Sequence, residues 1–263
     1  MNAVAGKKIG HGPKKVMVLH GWFGPSVYDG FFDSFDLNAY EFAIVHNPGY
    51  GVANGSAPAS DMTALAKSIL QLADQLGWKT FQVIGHSYGG AAALRMASLS
   101  PDRITALVGI APVMPSGFDA TAAKNCGADE NTGPAFMAAY AKGKKAADGP
   151  RMIAAALDPV LAQDEKAMDT LIDNLYSGIN EDAYKQYFLV WTGCSFVDDV
   201  KGLGTKSLFL LGKSDPFAAV NYVTPTKESM KPGAVQIKEI PGGHFLTVSG
   251  RRDAAEAIKG FLS

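Results

Sequence analysis

The chain has 263 residues, 47% of them hydrophobic and 10% aromatic, enough to bury a sizeable core as one large domain or one with an appendage. Its 24 basic and 25 acidic side chains leave a formal net charge of -1, which gives no electrostatic case for a nucleic acid or an anionic membrane as partner. No apolar run approaches membrane-spanning length and the first residues lack a signal-peptide core, so a cytoplasmic location is expected, and Cys126 and Cys194, in no metal or redox spacing, read as free thiols with a pairing between them left open.

In chain order, a polar lead-in through Lys14, with a solvated His11, precedes the first strong strand near 15–20. That strand, Val16-Met17-Val18-Leu19, runs into the glycine-containing loop His20-Gly21-Trp22-Phe23-Gly24-Pro25. A second strand near 42–46 ends in Asn47-Pro48-Gly49-Tyr50-Gly51. From Asp61 to Leu76 the apolar residues Leu65, Ile69, Leu72, Ala73 and Leu76 line one face of a helix. A third strand near 80–84 then enters Gly85-His86-Ser87-Tyr88-Gly89-Gly90, and the small-residue run Ala91-Ala92-Ala93-Leu94 leaves it at helical spacing, within a helix expected from Ser87 to Leu99.

A fourth strand near 104–110 closes this first half. The interval from Pro112 to about Gly202 breaks the rhythm, offering helical patterns in place of another β-run, and reads as an inserted helical cap. The expected division is therefore a core of residues 1–111 and 203–263 with a cap of residues 112–202. Gly143 to Pro150 is the expected exposed loop within it. Strands near 206–211 and 235–240 and a helix from Arg252 to Phe261 complete the chain. Strands alternating with helices predict an α/β fold with a mostly parallel, doubly wound sheet covered on both faces.

The glycine-flanked serine is the most informative feature. A serine on a tight turn from strand to helix needs small neighbours for the helix to pack on the strand, and Gly85, Gly89 and Gly90 supply them. Ser87 is thus a candidate nucleophile, set against the plainer role of capping the helix that follows. A serine hydroxyl needs a base, an acid to orient the base and a site for an oxyanion. Of the five histidines, His244 alone lies in a late loop, just past the strand Val235 to Ile240, at the edge where ligand chemistry gathers in open α/β sheets. Asp215, in the turn Gly212-Lys213-Ser214-Asp215-Pro216 after a buried strand, is the candidate acid, with an Asx-turn as its plain alternative. Asp198 and Asp199 rank behind it. For the oxyanion, one backbone amide is expected from Tyr88 and the other from Trp22, with Phe23 as the alternative. His20 is expected to brace its loop and His86 to pack or line the site. No cofactor and no metal are called for.

These features resemble the α/β-hydrolase family. The resemblance rests on His20-Gly21, Asn47-Pro48-Gly49-Tyr50-Gly51, the Gly85-to-Gly90 elbow, Gly212-to-Asp215 and Gly243-His244-Phe245, which span Val16 to Phe245 in the family's order. It implies the α/β-hydrolase fold and a Ser-Asp-His triad of Ser87, Asp215 and His244. The reaction class it implies is hydrolysis of esters, thioesters, lactones or amides, with some carbon–carbon bond hydrolases and perhydrolases. Two departures stand out. His46-Asn47 replaces the Asp that relatives often carry before the Pro-Gly turn, and the short N-terminus implies that the family's antiparallel edge hairpin is truncated or missing. Ser87, where dehalogenases and epoxide hydrolases carry an aspartate, argues against both chemistries.

The expected partner is a small, apolar, ester-type molecule, with no nucleic acid and no membrane, and monomer and dimer are both left open. In the cap, Tyr184, Tyr187, Phe188 and Trp191 fall at i, i+3, i+4 and i+7, one helix face that either packs the cap down or roofs the pocket. Phe118, Phe136, Met137 and Tyr140 form a second apolar group. The residues expected at the substrate are Phe23, His86, Phe118, Phe136, Tyr187, Trp191 and Phe245. Arg95 and Arg151 read as helix-surface and loop residues. The leading function is cleavage of a carboxylic ester or lactone; the alternatives are a carbon–carbon bond hydrolase and a non-catalytic receptor for a small ligand.

Overall fold

The β-branched and aliphatic runs of the sequence pair into a seven-stranded sheet in the computed structural model, which describes residues 3–127 and 149–263. The first half contains β1 (Val4–Gly10), β2 (Lys14–Leu19), β3 (Tyr40–His46), α1 (Met62–Gln75), β4 (Phe81–His86), α2 (Tyr88–Leu99) and β5 (Ile104–Ile110). Then come α3 (Ala120–Asn125), α4 (Gly149–Leu157), α5 (Glu165–Gly178) and α6 (Glu181–Thr192). The last part is β6 (Ser207–Gly212), α7 (Val220–Ser229), β7 (Val235–Ile240), α8 (Leu246–Ser249) and α9 (Arg251–Leu262). The sheet order is β1-β3-β2-β4-β5-β6-β7. All neighbours are parallel except β1 and β3. Strands β3 and β6 are buried along almost their whole length, as parallel strands covered on both faces must be.

Local chemistry explains the boundaries. Asp61 caps α1 by accepting the Ala64 amide at 2.8 Å, and Leu65, Ile69, Leu72 and Ala73 are buried along one face. The N-terminal segment, read from sequence as a polar lead-in, forms β1 and pairs antiparallel with β3 from Val4↔His46 to Gly10↔Glu41. The antiparallel edge is thus present as a single strand. Gly6, Lys7 and Lys8 hide the alternation of an edge strand, and a register shift between Ala5 and Lys7 interrupts it further. Helix α7 is not legible in the sequence, because the segment, with Pro225 inside it, buries little beyond Tyr222, Val223 and Thr226. Arg151, expected in a loop, lies in α4 and pairs with Asp169.

Between β5 and β6 the described residues are helical, and they are tied to the sheet domain at several points. The Trp22 indole N–H donates to the Tyr184 carbonyl at 2.7 Å, Tyr50 and Ile179 form an isolated bridge, and the His244 amide donates to the Leu157 carbonyl at 3.1 Å. Phe136, Met137, Tyr140 and most of the expected Gly143–Pro150 loop lie outside the described residues. Among the described residues no helix is long and apolar enough to cross a membrane.

Candidate active site

Ser87 sits between β4 and α2 with φ 54° and ψ −124°, a left-handed backbone that a non-glycine residue adopts only when its surroundings force it. Three backbone hydrogen bonds do so. The Ser87 amide donates to Ile110 at 2.9 Å, and its carbonyl accepts from Gly90 at 2.8 Å and Val113 at 2.9 Å. The turn tolerates no side chain at Gly85 or Gly90. A Cβ on Gly85 would lie 2.2 Å from the Gly89 carbonyl oxygen, and one on Gly90 2.4 Å from Pro112 Cβ. Although Ser87 occupies the N-cap position of α2, its side chain makes no capping hydrogen bond. The plain capping role is therefore not what the serine does.

His244 and Asp215 come from the loops after β7 and β6 and meet below the cavity, 3% and 5% exposed. The His244 Nδ1–H donates to Asp215 Oδ2 at 2.8 Å. The other carboxylate oxygen, Oδ1, accepts the amides of Phe217 at 2.8 Å and Ala218 at 3.2 Å. The Asx-turn and the grip on the histidine are two ends of one side chain. The rival acids lie elsewhere, Asp199 on Arg95 at 2.6 Å and Asp198 on Lys201 at 2.5 Å.

The loop after β2 closes against the elbow. A Cβ on Gly21 would fall 2.8 Å from Ser87 Cβ, so the backbone leading into Trp22 runs directly beside the serine. A polar network steadies both loops. His20 Nδ1–H donates to the Gly21 carbonyl at 2.8 Å, and its Nε2 accepts the Asn47 amide at 3.3 Å. The Asn47 side chain donates to the Tyr88 hydroxyl at 2.8 Å, and Tyr88 and Tyr50 hydroxyls meet. The Tyr50 hydroxyl then donates to the Trp22 carbonyl at 3.1 Å. Trp22 and Tyr88, the two residues expected to present oxyanion amides, are thus linked through their neighbours. Burial depresses the His20 and His86 imidazoles to about 3, so both are neutral at ordinary pH.

One apolar cavity opens onto Ser87, His86 and His244. Trp22, Phe23, Phe118, Trp191 and Phe245, all anticipated from the sequence, line it. Tyr187, also expected there, does not. It is fully buried, stacks on Tyr88 with ring centroids 5.4 Å apart, and its hydroxyl accepts the Ala59 amide at 3.2 Å. Tyr184 likewise stacks on Trp22 at 4.2 Å. Of the α6 stripe, Trp191 alone reaches the cavity, because it lies at the far end of the helix from the packed rings. Phe136 lies outside the described residues.

Phe217, Val113, Leu157 and Cys126 also line the cavity and were not singled out from sequence. Phe217 could have been found, since it lies two residues past Asp215 in the same strand-end turn. Cys126 and Cys194 are both free, and burial pushes each thiol up to about 12. A further buried acid, Asp158 at the end of α4, carried no sequence signal. No group of three or more His, Cys, Asp or Glu side chains that could hold a metal occurs among the described residues.

The family model for the alpha/beta hydrolase fold matches residues 14–250. Over 262 residues the chain is 24% identical to a dihydrolipoyllysine-residue acetyltransferase component of an acetoin cleaving system from Pseudomonas putida, covering 96% of this chain and 64% of that protein. Over 113 residues it is 32% identical to a pimeloyl-[acyl-carrier protein] methyl ester esterase from Klebsiella pneumoniae, covering 42% of this chain and 41% of that one. The chain thus spans less than two thirds of the length of either curated relative. Among solved structures, an esterase from Exiguobacterium antarcticum superposes with a TM-score of 0.84 at 16% identity, over 97% of this chain and 94% of that one.

Proposed function

Because the chain belongs to the α/β-hydrolase family, we propose that it is a serine hydrolase that cleaves the carboxylic ester or lactone of a small, largely apolar substrate through an acyl-enzyme on Ser87. The observation that carries the reading is the His244–Asp215 hydrogen bond of 2.8 Å, buried at the wall of the cavity onto which a backbone-strained Ser87 opens. The capping alternative for Ser87 loses its support, since the side chain makes no capping bond.

In this reading His244, its Nδ1–H held by Asp215, takes the Ser87 proton at Nε2 as Ser87 Oγ attacks the substrate carbonyl. The carbonyl oxygen gathers charge and is met by the amides of Trp22 and Tyr88, two residues whose carbonyl and hydroxyl respectively are held by the Asn47–Tyr88–Tyr50 network. The tetrahedral intermediate collapses, and His244 returns its proton to the leaving alkoxide. Water then attacks the acyl-enzyme with His244 again as base. His20 and His86 stay neutral throughout and so compete for no proton in the cycle.

The cavity wall supports an apolar substrate, with Phe118, Trp191, Phe217 and Phe245 at its surface and no arginine or lysine among the described lining residues. A carbon–carbon bond hydrolase acting on a dienoic acid would need such a cation, and that reading is correspondingly weaker. The curated relative named as a methyl ester esterase supports an ester. The receptor reading uses the same cavity without turnover. We place the cap at residues 112–202 over a core of 1–111 and 203–263, and keep the cytoplasm as the compartment, in accord with two free thiols. Hydrolysis of p-nitrophenyl esters of increasing acyl length, beside simple lactones, tests the reading. Turnover that vanishes in Ser87→Ala is expected; a folded protein inert to the whole panel that still binds small apolar ligands tightly would favour the receptor.

A further inference from the structure

A buried carboxylate without a cation is costly unless N–H and O–H donors surround it. Asp158 is fully buried just past the end of α4, and its donors come from its own turn, from the His244 loop and from α8 directly after that loop. Oδ1 accepts the Leu161 amide at 2.8 Å. Oδ2 accepts the Phe245 amide at 2.8 Å and the Ser249 hydroxyl at 2.8 Å. Ser249 Oγ in turn accepts the Gly243 amide at 3.2 Å. The residue before His244 and the residue after it are thus both tied to one carboxylate, the first through Ser249.

His244 itself is held from the same side and from the opposite one. Its amide donates to the carbonyl of Leu157, the neighbour of Asp158, at 3.1 Å, and its carbonyl accepts from His86 Nε2 at 2.9 Å. The contact leaves no slack. A Cβ on Gly243 would lie 2.4 Å from Asp158 Cγ, so the loop wraps the carboxylate as closely as glycine allows.

We propose that Asp158 is a positioning residue for catalysis: it fixes the backbone on both sides of His244, so that the base is aligned from the inserted helices as well as by Asp215. This rests on the triad reading above. Asp215 sets which way the imidazole faces, through a side-chain bond at Nδ1. Asp158 sets where the imidazole is rooted, through amides, and touches no reacting atom. A consequence is that Leu157, which lines the cavity, and the base beside it are held on one backbone frame.

The test is steady-state kinetics of the full chain on a short p-nitrophenyl ester, comparing Asp158→Ala, Asp158→Asn and Ser249→Ala, with the downfield proton signal of His244 Nδ1–H recorded on each. A misplaced base lowers turnover and leaves ground-state binding alone, so Asp158→Ala is expected to lose about tenfold or more in kcat with KM within about threefold. Asp158→Asn, whose amide oxygen can still accept from Phe245, is expected to recover part of that loss, and Ser249→Ala to show a smaller loss of the same kind. The Nδ1–H signal is expected to broaden or shift in the order Ala, Asn, wild type. A folded Asp158→Ala protein with wild-type kcat and an unchanged signal, losing only thermal stability, would overturn the proposal. If Asp158→Ala does not fold, Ser249→Ala decides by the same criteria. Wild-type turnover in Ser87→Ala would defeat the triad reading instead, and the Nδ1–H signal would still report on the positioning.

Discussion

Asp215 holds His244 with one carboxylate oxygen at 2.8 Å and its own turn with the other, through the Phe217 amide at 2.8 Å. The two functions separate on substitution. Asp215→Asn keeps an acceptor for the turn but offers the imidazole an amide in place of a carboxylate, so the wrong tautomer is favoured. The expected outcome is a folded protein with kcat lower by about 10⁴-fold, as for the corresponding change in serine proteases, measured by ester hydrolysis. Asp215→Ala should lose the same activity and also lower the melting temperature, since two buried amides lose their acceptor.

Gly21 marks how closely the loop after β2 approaches the elbow. Alanine there would put a methyl group 2.8 Å from Ser87 Cβ and 2.9 Å from His86 Nδ1, and the loop must retreat. Retreat carries the Trp22 amide away from the position proposed for the oxyanion. Gly21→Ala is expected to cut kcat/KM by about 10²-fold with little change in far-UV circular dichroism, comparable to losing one oxyanion donor.

Acid should destabilise the protein through two histidines. His20 and His86 are depressed to about 3 when folded, against 6.5 when unfolded. Below the unfolded value the unfolded chain binds more protons than the native one, so stability is fully present above pH 6.5 and is lost as pH falls towards 3. Each histidine adds a slope of at most about 1.4 kcal/mol per pH unit within that window. Urea titrations at a series of pH values should show the slope, and His86→Gln should flatten it, even though that variant is less stable at neutral pH.

The α6 stripe predicts a contrast between two aromatic residues on one helix. Trp191 faces the cavity, so Trp191→Ala should shift the acyl-length preference towards longer chains, seen as a changed ratio of kcat/KM across an ester series. Tyr187 faces Tyr88 and the Ala59 amide, so Tyr187→Phe should cost about 1 kcal/mol in stability and leave the preference unchanged.

Much of this site is legible in the sequence. Val16-Met17-Val18-Leu19 and Phe81-Gln82-Val83-Ile84 announce buried parallel strands by apolar runs, and the chemistry at their ends follows because loops after such strands share one sheet edge. The sequence alone puts Ser87, Asp215 and His244 each in such a loop. What stayed hidden has physical reasons. Strand β1 lies at an edge with a register shift and two lysines, so its alternation is weak. Helix α7 is polar and interrupted by Pro225. Tyr187 and Trp191 share a helix face in the periodicity, and only packing distinguishes the one that stacks on Tyr88 from the one that meets the cavity. Asp158 is a lone acid in an amphipathic segment, and its partners beyond its own turn, Phe245 and Ser249, lie 87 and 91 residues further along the chain, which no local pattern encodes.

Every step of the proposed cycle depends on Ser87 as the nucleophile. That role is tested most directly by treating the protein with an alkyl fluorophosphonate, measuring intact mass and mapping the labelled peptide. One adduct per chain is expected, carried by the peptide containing Ser87, absent in Ser87→Ala and formed far more slowly in His244→Ala. Labelling of equal extent in wild type and in a folded Ser87→Ala protein, or an adduct mapped to another residue, would contradict it.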